Sequence, residues 1–383
     1  MKSSRFRHFS TIALIDLTIF VVCLLSFSWF HHAKNMLSDS SGSVIIGRRQ
    51  DTHDTDTFFN GGDNIDNVLS PPPSSPSVHD TASAAESAES VEASVSTAAI
   101  TDTDTSVTEP IETEPPVPEH RFESKFAPYG VVEKTSTSYR SHDININIDR
   151  ITRLFDDSGV VSYYVIDVYV RSIDNIYTVS SDSRYFMEEL CEAGGAVAAV
   201  SGDFWYKNAH IAVRGGEVLK RDNSTENDFC VMYNNGSMAC FPGSALSDFT
   251  VTEDVYQVWN FGPSLLDESG EALRSFGSKN DISGTNPRSS IGYYEPGHYC
   301  FVVADGRVHV RYEGNRIKSY GITLRDLALV YEELGCVCAY NLDGGDSAYA
   351  YFDGDVIRQD YSRAHSENEE PRKIYDIICI GER

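Results

Sequence analysis

Hydrophobic and polar positions divide the chain into three regimes. Residues 11–30, TIALIDLTIFVVCLLSFSWF, form a largely apolar run of about the length that spans a bilayer core. Lys2, Arg5 and Arg7 precede it, which predicts a cytoplasmic N-terminal tip. The run leaves through Trp29-Phe30-His31-His32 with no small-x-small cleavage site, so residues 1–34 read as an uncleaved signal anchor; a cleaved signal sequence is the alternative. From residue 35 to about 125 periodicity disappears into Ser, Thr, Asp, Glu, Ala and Pro, including Pro71-Pro72-Pro73. Such a stretch buries too little apolar surface to offset its ordering entropy and predicts a disordered, self-repelling stalk.

From Phe126 the pattern becomes that of strands. Residues 143–152 alternate, and residues 160–170 are β-branched and aromatic. Residues 183–193 carry Tyr185, Phe186, Leu190 and Ala193 on one helical face, ending at Gly194-Gly195. A small-residue strand, 196–200, then runs into Ser201-Gly202-Asp203. Hairpins are predicted over 212–219, over 230–240 about Asn234-Asn235-Gly236, and over 299–311 about Asp305-Gly306. Gly262-Pro263 bends the run 257–266. Residues 323–334 predict a second helix, N-capped by Thr323 and closed by Gly335. It leads into strand 336–340, a bend at 341–347 and strand 348–352. The expected fold is α+β: one large, mainly antiparallel, twisted sheet system with few helices, a single catalytic-type domain over residues 126–383.

Charge and cysteine usage narrow the function. The net charge is −26, with about half of the excess in residues 35–125, and no Lys/Arg cluster suits a phosphate backbone, so nucleic acid is not an expected partner. Of eight cysteines, Cys23 lies in the apolar run. Cys230 and Cys240 fall opposite one another in their hairpin and are the disulfide candidate. Cys336 and Cys338, two apart on a strand, should share a face and not bond each other. No CxxC or HExxH spacing points to zinc. His210, His298, His309 and His365 stand singly, and no nucleophile-elbow motif supports a serine hydrolase.

Three apolar runs end in polar groups: residues 201–203, 287–290 and 341–347. Each alone reads equally well as a solvated turn. Brought together, Asp203, Asp343 and Arg288 would suit hydrolysis of a phosphorylated sugar, the guanidinium clamping phosphate and the carboxylates serving as acid, base or nucleophile. Gly344-Gly345 lets a ligand approach the backbone. Asp203, Asp343 and Asp346 are also a chemically reasonable set for a divalent cation, though no cofactor is required.

In chain order, Ala199-Val200-Ser201-Gly202-Asp203-Phe204, Phe261-Gly262-Pro263-Ser264-Leu265, Asn286-Pro287-Arg288-Ser289-Ser290-Ile291-Gly292, Val303-Ala304-Asp305-Gly306-Arg307, Gly321-Ile322-Thr323-Leu324 and Asn341-Leu342-Asp343-Gly344-Gly345-Asp346-Ser347 resemble the phosphodiester glycosidase family, over roughly residues 130–382. The resemblance implies an exported glycosidase acting on a sugar-1-phosphate diester, such as one of N-acetylglucosamine, in phosphorylated cell-surface or exopolysaccharide glycan. It implies catalytic roles for Asp203, Asp343 and Arg288, and substrate binding by Ser201, Gly202, Asn341, Gly344, Gly345, Asp346 and Ser347. Ser201 stands where the family usually has Asn, Ser289-Ser290 where it has Thr-Ala, and Asp346 at a third glycine position. The first departure keeps open a noncatalytic glycan-binding or assembly protein on the same fold; a metal-dependent phosphodiesterase is the other alternative.

Overall fold

Ile144–Phe155 and Gly159–Val170 make the longest hairpin, in register from Ile144 opposite Val170 to Phe155 opposite Gly159. The computed structural model describes residues 44–48, 121–276, 284–358 and 371–382. The expected anchor at 11–30 and almost all of the expected stalk lie outside them. Among the described residues no helix is long and apolar enough to cross a membrane.

The long hairpin is the middle of a seven-stranded sheet ordered Cys338–Asn341, Arg288–Glu295, His298–Ala304, Gly159–Val170, Ile144–Phe155, Ser138–Arg140, Glu133–Lys134. A six-stranded sheet runs Val44–Gly47, Ile176–Tyr185, Ile374–Ile380, Ala198–Ser201, Ala350–Phe352, Asp355–Arg358. A five-stranded sheet runs Met238–Phe241, Phe229–Tyr233, Val255–Trp259, Ile211–Arg214, Glu217–Arg221. Neighbouring strands in all three are antiparallel. One core joins them: Ile146, Ile166 and Ile291 of the first meet Val200 and Ile378 of the second and Met232 and Trp259 of the third. At about 1.5–3 kcal/mol for each buried aliphatic or aromatic side chain, this shared core holds the sheets together.

Two helices cover outer sheet faces. Leu324–Leu334 packs Leu327 and Tyr331 against Val161 and Val302; Thr323 Oγ accepts from the Asp326 amide at 3.1 Å and Gly335 caps in the left-handed region, as the sequence predicts. Met187–Gly194 packs Leu190 against Val179 and Ile377. It starts later than the expected residue 183, because Tyr185 is still paired with Ile374 and the Glu189 carboxylate holds the Phe186 amide at 2.7 Å.

The tertiary structure corrects several expectations. His298–Ala304 already has Arg288–Glu295 and Gly159–Val170 on its two edges, so the hairpin expected about Asp305-Gly306 does not form; Val308–Tyr312 pairs instead with Asn315–Ser319. Gly306 is needed for close approach, since a Cβ there would lie 2.8 Å from Gly321 Cα. Strands Cys338–Asn341 and Ala350–Phe352 do not pair with each other but belong to different sheets, so residues 342–349 are a crossover. Cys336 does not share a face with Cys338: it sits in the turn closing the helix, its amide on Tyr331 O at 3.1 Å, and its Sγ is 3.6 Å from Cys300 Sγ. Cys230 and Cys240 are opposite in register, as expected, but all seven described cysteines are free thiols and no Cys230–Cys240 disulfide is formed.

Candidate functional site

The crossover at 342–349 gathers the three polar run-ends at one place. As the chain leaves Cys338–Asn341, the Leu342 amide donates to Ser289 O at 2.9 Å, the Asp343 amide to Gly202 O at 2.9 Å and the Gly345 amide to Pro287 O at 2.8 Å. Ser201 Oγ donates to Ser347 O and accepts from the Tyr349 amide at 3.0 Å. The serine at the family's usual Asn position therefore ties strand Ala198–Ser201 to the crossover. Gly344 has no room for a side chain, because a Cβ would lie 2.7 Å from Pro287 O.

Asp203 is fully buried at the end of strand Ala198–Ser201. Its Oδ1 accepts from Arg214 Nη2 at 2.6 Å and its Oδ2 from the Asn260 amide at 2.8 Å. Asp376, in the last strand, accepts from the Asp203 amide at 2.8 Å and the Phe204 amide at 3.0 Å, and its Oδ2 is 3.6 Å from Arg214 Nη2. Phe204 takes a left-handed φ of 58°, uncommon for a bulky residue, to point its amide there. Gly202 is required, since a Cβ would fall 1.9 Å from Asp376 Oδ2. Burial, then the charge and hydrogen bond of Asp203, push the Asp376 carboxyl well above the usual carboxylate range despite Arg214. Arg214 is thus a buried cation facing both carboxyl groups.

Around this buried trio lie Asp343, Arg288, Arg307 and Asn341. Asp343 is part-buried, and burial raises its carboxyl to about 6; the Ser347 hydroxyl, Arg372 and the Gly344 amide pull it down, while Asp203 adds repulsion. Arg288 is buried, its Nε donating to Ile322 O at 2.9 Å and Nη2 to Gly284 O at 2.8 Å, and burial lowers it to about 10, still cationic at neutral pH. Arg307, part-exposed, donates to Asp346 Oδ1 and to Asn286 Oδ1 at 3.2 Å. Asn341 Nδ2 donates to Gly262 O at 2.7 Å, whereas its buried Oδ1 has no hydrogen-bond partner among the described residues.

Asp203, Asp343, Arg288, Ser201, Gly202, Asn341, Gly344, Gly345, Asp346 and Ser347 thus fall in one region. As a cation set, Asp203, Asp343 and Asp346 do not bring ligand atoms within 4.8 Å of one another, and Asp346 faces Arg307. Sequence reasoning missed Arg214 and Asp376. Their signal is a charged residue at the end of, or inside, an otherwise apolar strand: IAVR and IYDIICI.

Residues 194–381 match the family model described as phosphodiester glycosidase. The chain carries a phosphodiester glycosidase family domain. The matched span holds both the expected site residues and the missed pair, Arg214 and Asp376. The SPbeta prophage-derived uncharacterized protein YomE of Bacillus subtilis strain 168 is 24% identical to the chain over 197 residues, 49% of this chain and 29% of that protein. The chain therefore spans under a third of the length of that curated relative. The zebrafish N-acetylglucosamine-1-phosphodiester alpha-N-acetylglucosaminidase catalytic domain, solved auto-inhibited by its pro-peptide, superposes with a TM-score of 0.51 at 18% identity, covering 66% of this chain and 88% of that one. This likeness is one of fold.

Proposed function

We propose that the chain hydrolyses a sugar-1-phosphate diester between the anomeric carbon and the phosphate oxygen, releasing free sugar and a phosphomonoester. The observation that carries this reading is the double anchoring of one loop: the amides on either side of Gly344 are bound to Gly202 O and Pro287 O, which ties the Asp343 loop to the residues that precede Asp203 and Arg288, and the Asp343 carboxyl feels the charge of Asp203. The phosphodiester glycosidase match is consistent with it.

In this reading Asp343 is the proton-transfer group, because a carboxyl near 6 changes state close to neutral pH. The departing phosphomonoester is a stable anion and needs little proton donation, so Asp343 acts as the base that activates water. Arg288 and Arg307 supply positive charge toward the phosphate. Asn341 Oδ1 accepts from a sugar hydroxyl, which would satisfy an otherwise unpartnered buried acceptor. Asp203, with both oxygens engaged, is a positioning residue that holds the Gly202 carbonyl under the Asp343 loop. We assign the substrate to phosphorylated glycan outside the membrane, on the strength of the apolar run at 11–30 and its basic flank.

Hydrolysis of a GlcNAc-1-phosphodiester in isotopically labelled water tests the reading. Label in the released sugar supports it; label in the phosphate overturns it in favour of P–O cleavage by a phosphodiesterase. A second reading, a glycan-binding protein without turnover, is favoured by Ser201, whose hydroxyl is committed to the loop backbone. Glycan binding that survives Asp343→Asn, with no hydrolysis by the unaltered chain, would select it.

A further inference from the structure

Away from this site, three cysteines from two sheets converge. Cys230 and Cys240 are cross-strand neighbours in the five-stranded sheet, and Cys338 opens the strand that delivers Asn341 and Asp343. Their sulfur atoms all lie within 4.8 Å of one another, with Cys240 Sγ and Cys338 Sγ 3.3 Å apart. Cys230 is buried, while Cys240 and Cys338 are partly buried. Among the described residues this is the one group of three or more His, Cys, Asp or Glu side chains so gathered. Cys300 and Cys336, 3.6 Å apart, have no third sulfur in such a group.

We propose that Cys230, Cys240 and Cys338 bind one soft d10 cation, Cu(I) or Zn(II). Metal–thiolate bonds of about 2.3 Å put ligand sulfurs roughly 3.7–4.0 Å apart, within the range the three thiols span after small side-chain adjustments. A donor set made only of thiols selects such cations over hard ones. Three thiols also leave one over whenever two are oxidised to a disulfide, whereas a metal uses all three. Binding exchanges thiol protons for the cation, so it releases protons to solvent and weakens as pH falls. Cys240 and Cys338 are only partly buried residues, and for Zn(II) a water would complete the usual four-coordinate shell. The cation joins the hairpin formed by Phe229–Tyr233 and Met238–Phe241 to strand Cys338–Asn341, and so stiffens the strand that leads into the Asp343 loop.

The full chain, purified with reductant and exchanged into anaerobic buffer, is titrated with Cu(I) in competition with a chromophoric chelator and, in a separate arm, with Zn(II). The expected result is uptake of about one cation per chain in at least one arm, with Cys230, Cys240 and Cys338 protected from alkylation on peptide mapping. The Cys338→Ser and Cys240→Ser variants lose affinity ~10-fold or more, while Cys300→Ser retains it. The alkylation map uses the unaltered protein and needs no variant to fold. Uptake in neither arm, protection elsewhere, or a native disulfide joining two of the three cysteines overturns the proposal.

Discussion

The Asp343 amide donates to the Gly202 carbonyl at 2.9 Å, joining the crossover that leaves the seven-stranded sheet to the residue before Asp203 in the six-stranded sheet. Two sheet ends are thereby held at one point, and the chemistry proposed for the site depends on that junction.

Replacing Asp343 with Asn should reduce turnover of a sugar-1-phosphate diester by about 10²–10⁴-fold, the usual worth of a general base. In the unaltered chain, activity should rise with pH through about 6, because the base must be ionised. Steady-state rates from pH 4.5 to 8 check this; a flat profile would remove Asp343 from proton transfer.

The same variant should be more stable at pH 7 than the parent. The Asp343 pKa rises from 3.8 to about 6 on folding, so the native state binds more protons between these values and loses stability as pH rises through them. Asn lacks this penalty, and the gain is at most about 2–3 kcal/mol at pH 7, vanishing below pH ~4. Urea unfolding at pH 4 and pH 7 measures both ends.

Gly202→Ala should destabilise by roughly 2–4 kcal/mol, because the new Cβ would fall 1.9 Å from Asp376 Oδ2, a buried carboxyl already held by the Asp203 and Phe204 amides. Denaturant midpoints report the loss. Gly314→Ala is the control: unlike Gly202 it has a positive φ, of 78°, but nothing lies within 4 Å of its Cβ position, so backbone strain acts there without a clash.

Arg214→Met removes the cation that balances Asp203 inside the protein and should cost about 3–5 kcal/mol. Adding Asp203→Asn removes the stranded charge and should recover a substantial part of that loss. A double-mutant cycle by urea denaturation distinguishes this coupling from simple loss of packing, which the second substitution would not repair.

Arg307→Ala should leave the fold intact, since the side chain is part-exposed and its ion pair with Asp346 lies near the surface. Its expected effect is a rise in KM of roughly 10-fold with a smaller change in kcat, the pattern of lost phosphate binding. An unchanged KM would take Arg307 out of the substrate site.

Local chemistry, read in order along the chain, determined much of this protein. β-Branched alternation marks Ile144–Phe155 and Gly159–Val170; Thr323 and Gly335 bracket a helix; and glycines beside acids mark 201–203 and 341–347 as special. These signals are short-range, set by dihedral preference, capping and side-chain period. Only the tertiary structure decided which edges were available. With both edges of His298–Ala304 occupied, Val308–Tyr312 turned away, and the chain after Cys338–Asn341 crossed to another sheet. Arg214 and Asp376 are separated along the chain and become a pair of partners for Asp203 only when two sheets close over them, because burial and pairing of charge depend on what the whole fold excludes from water.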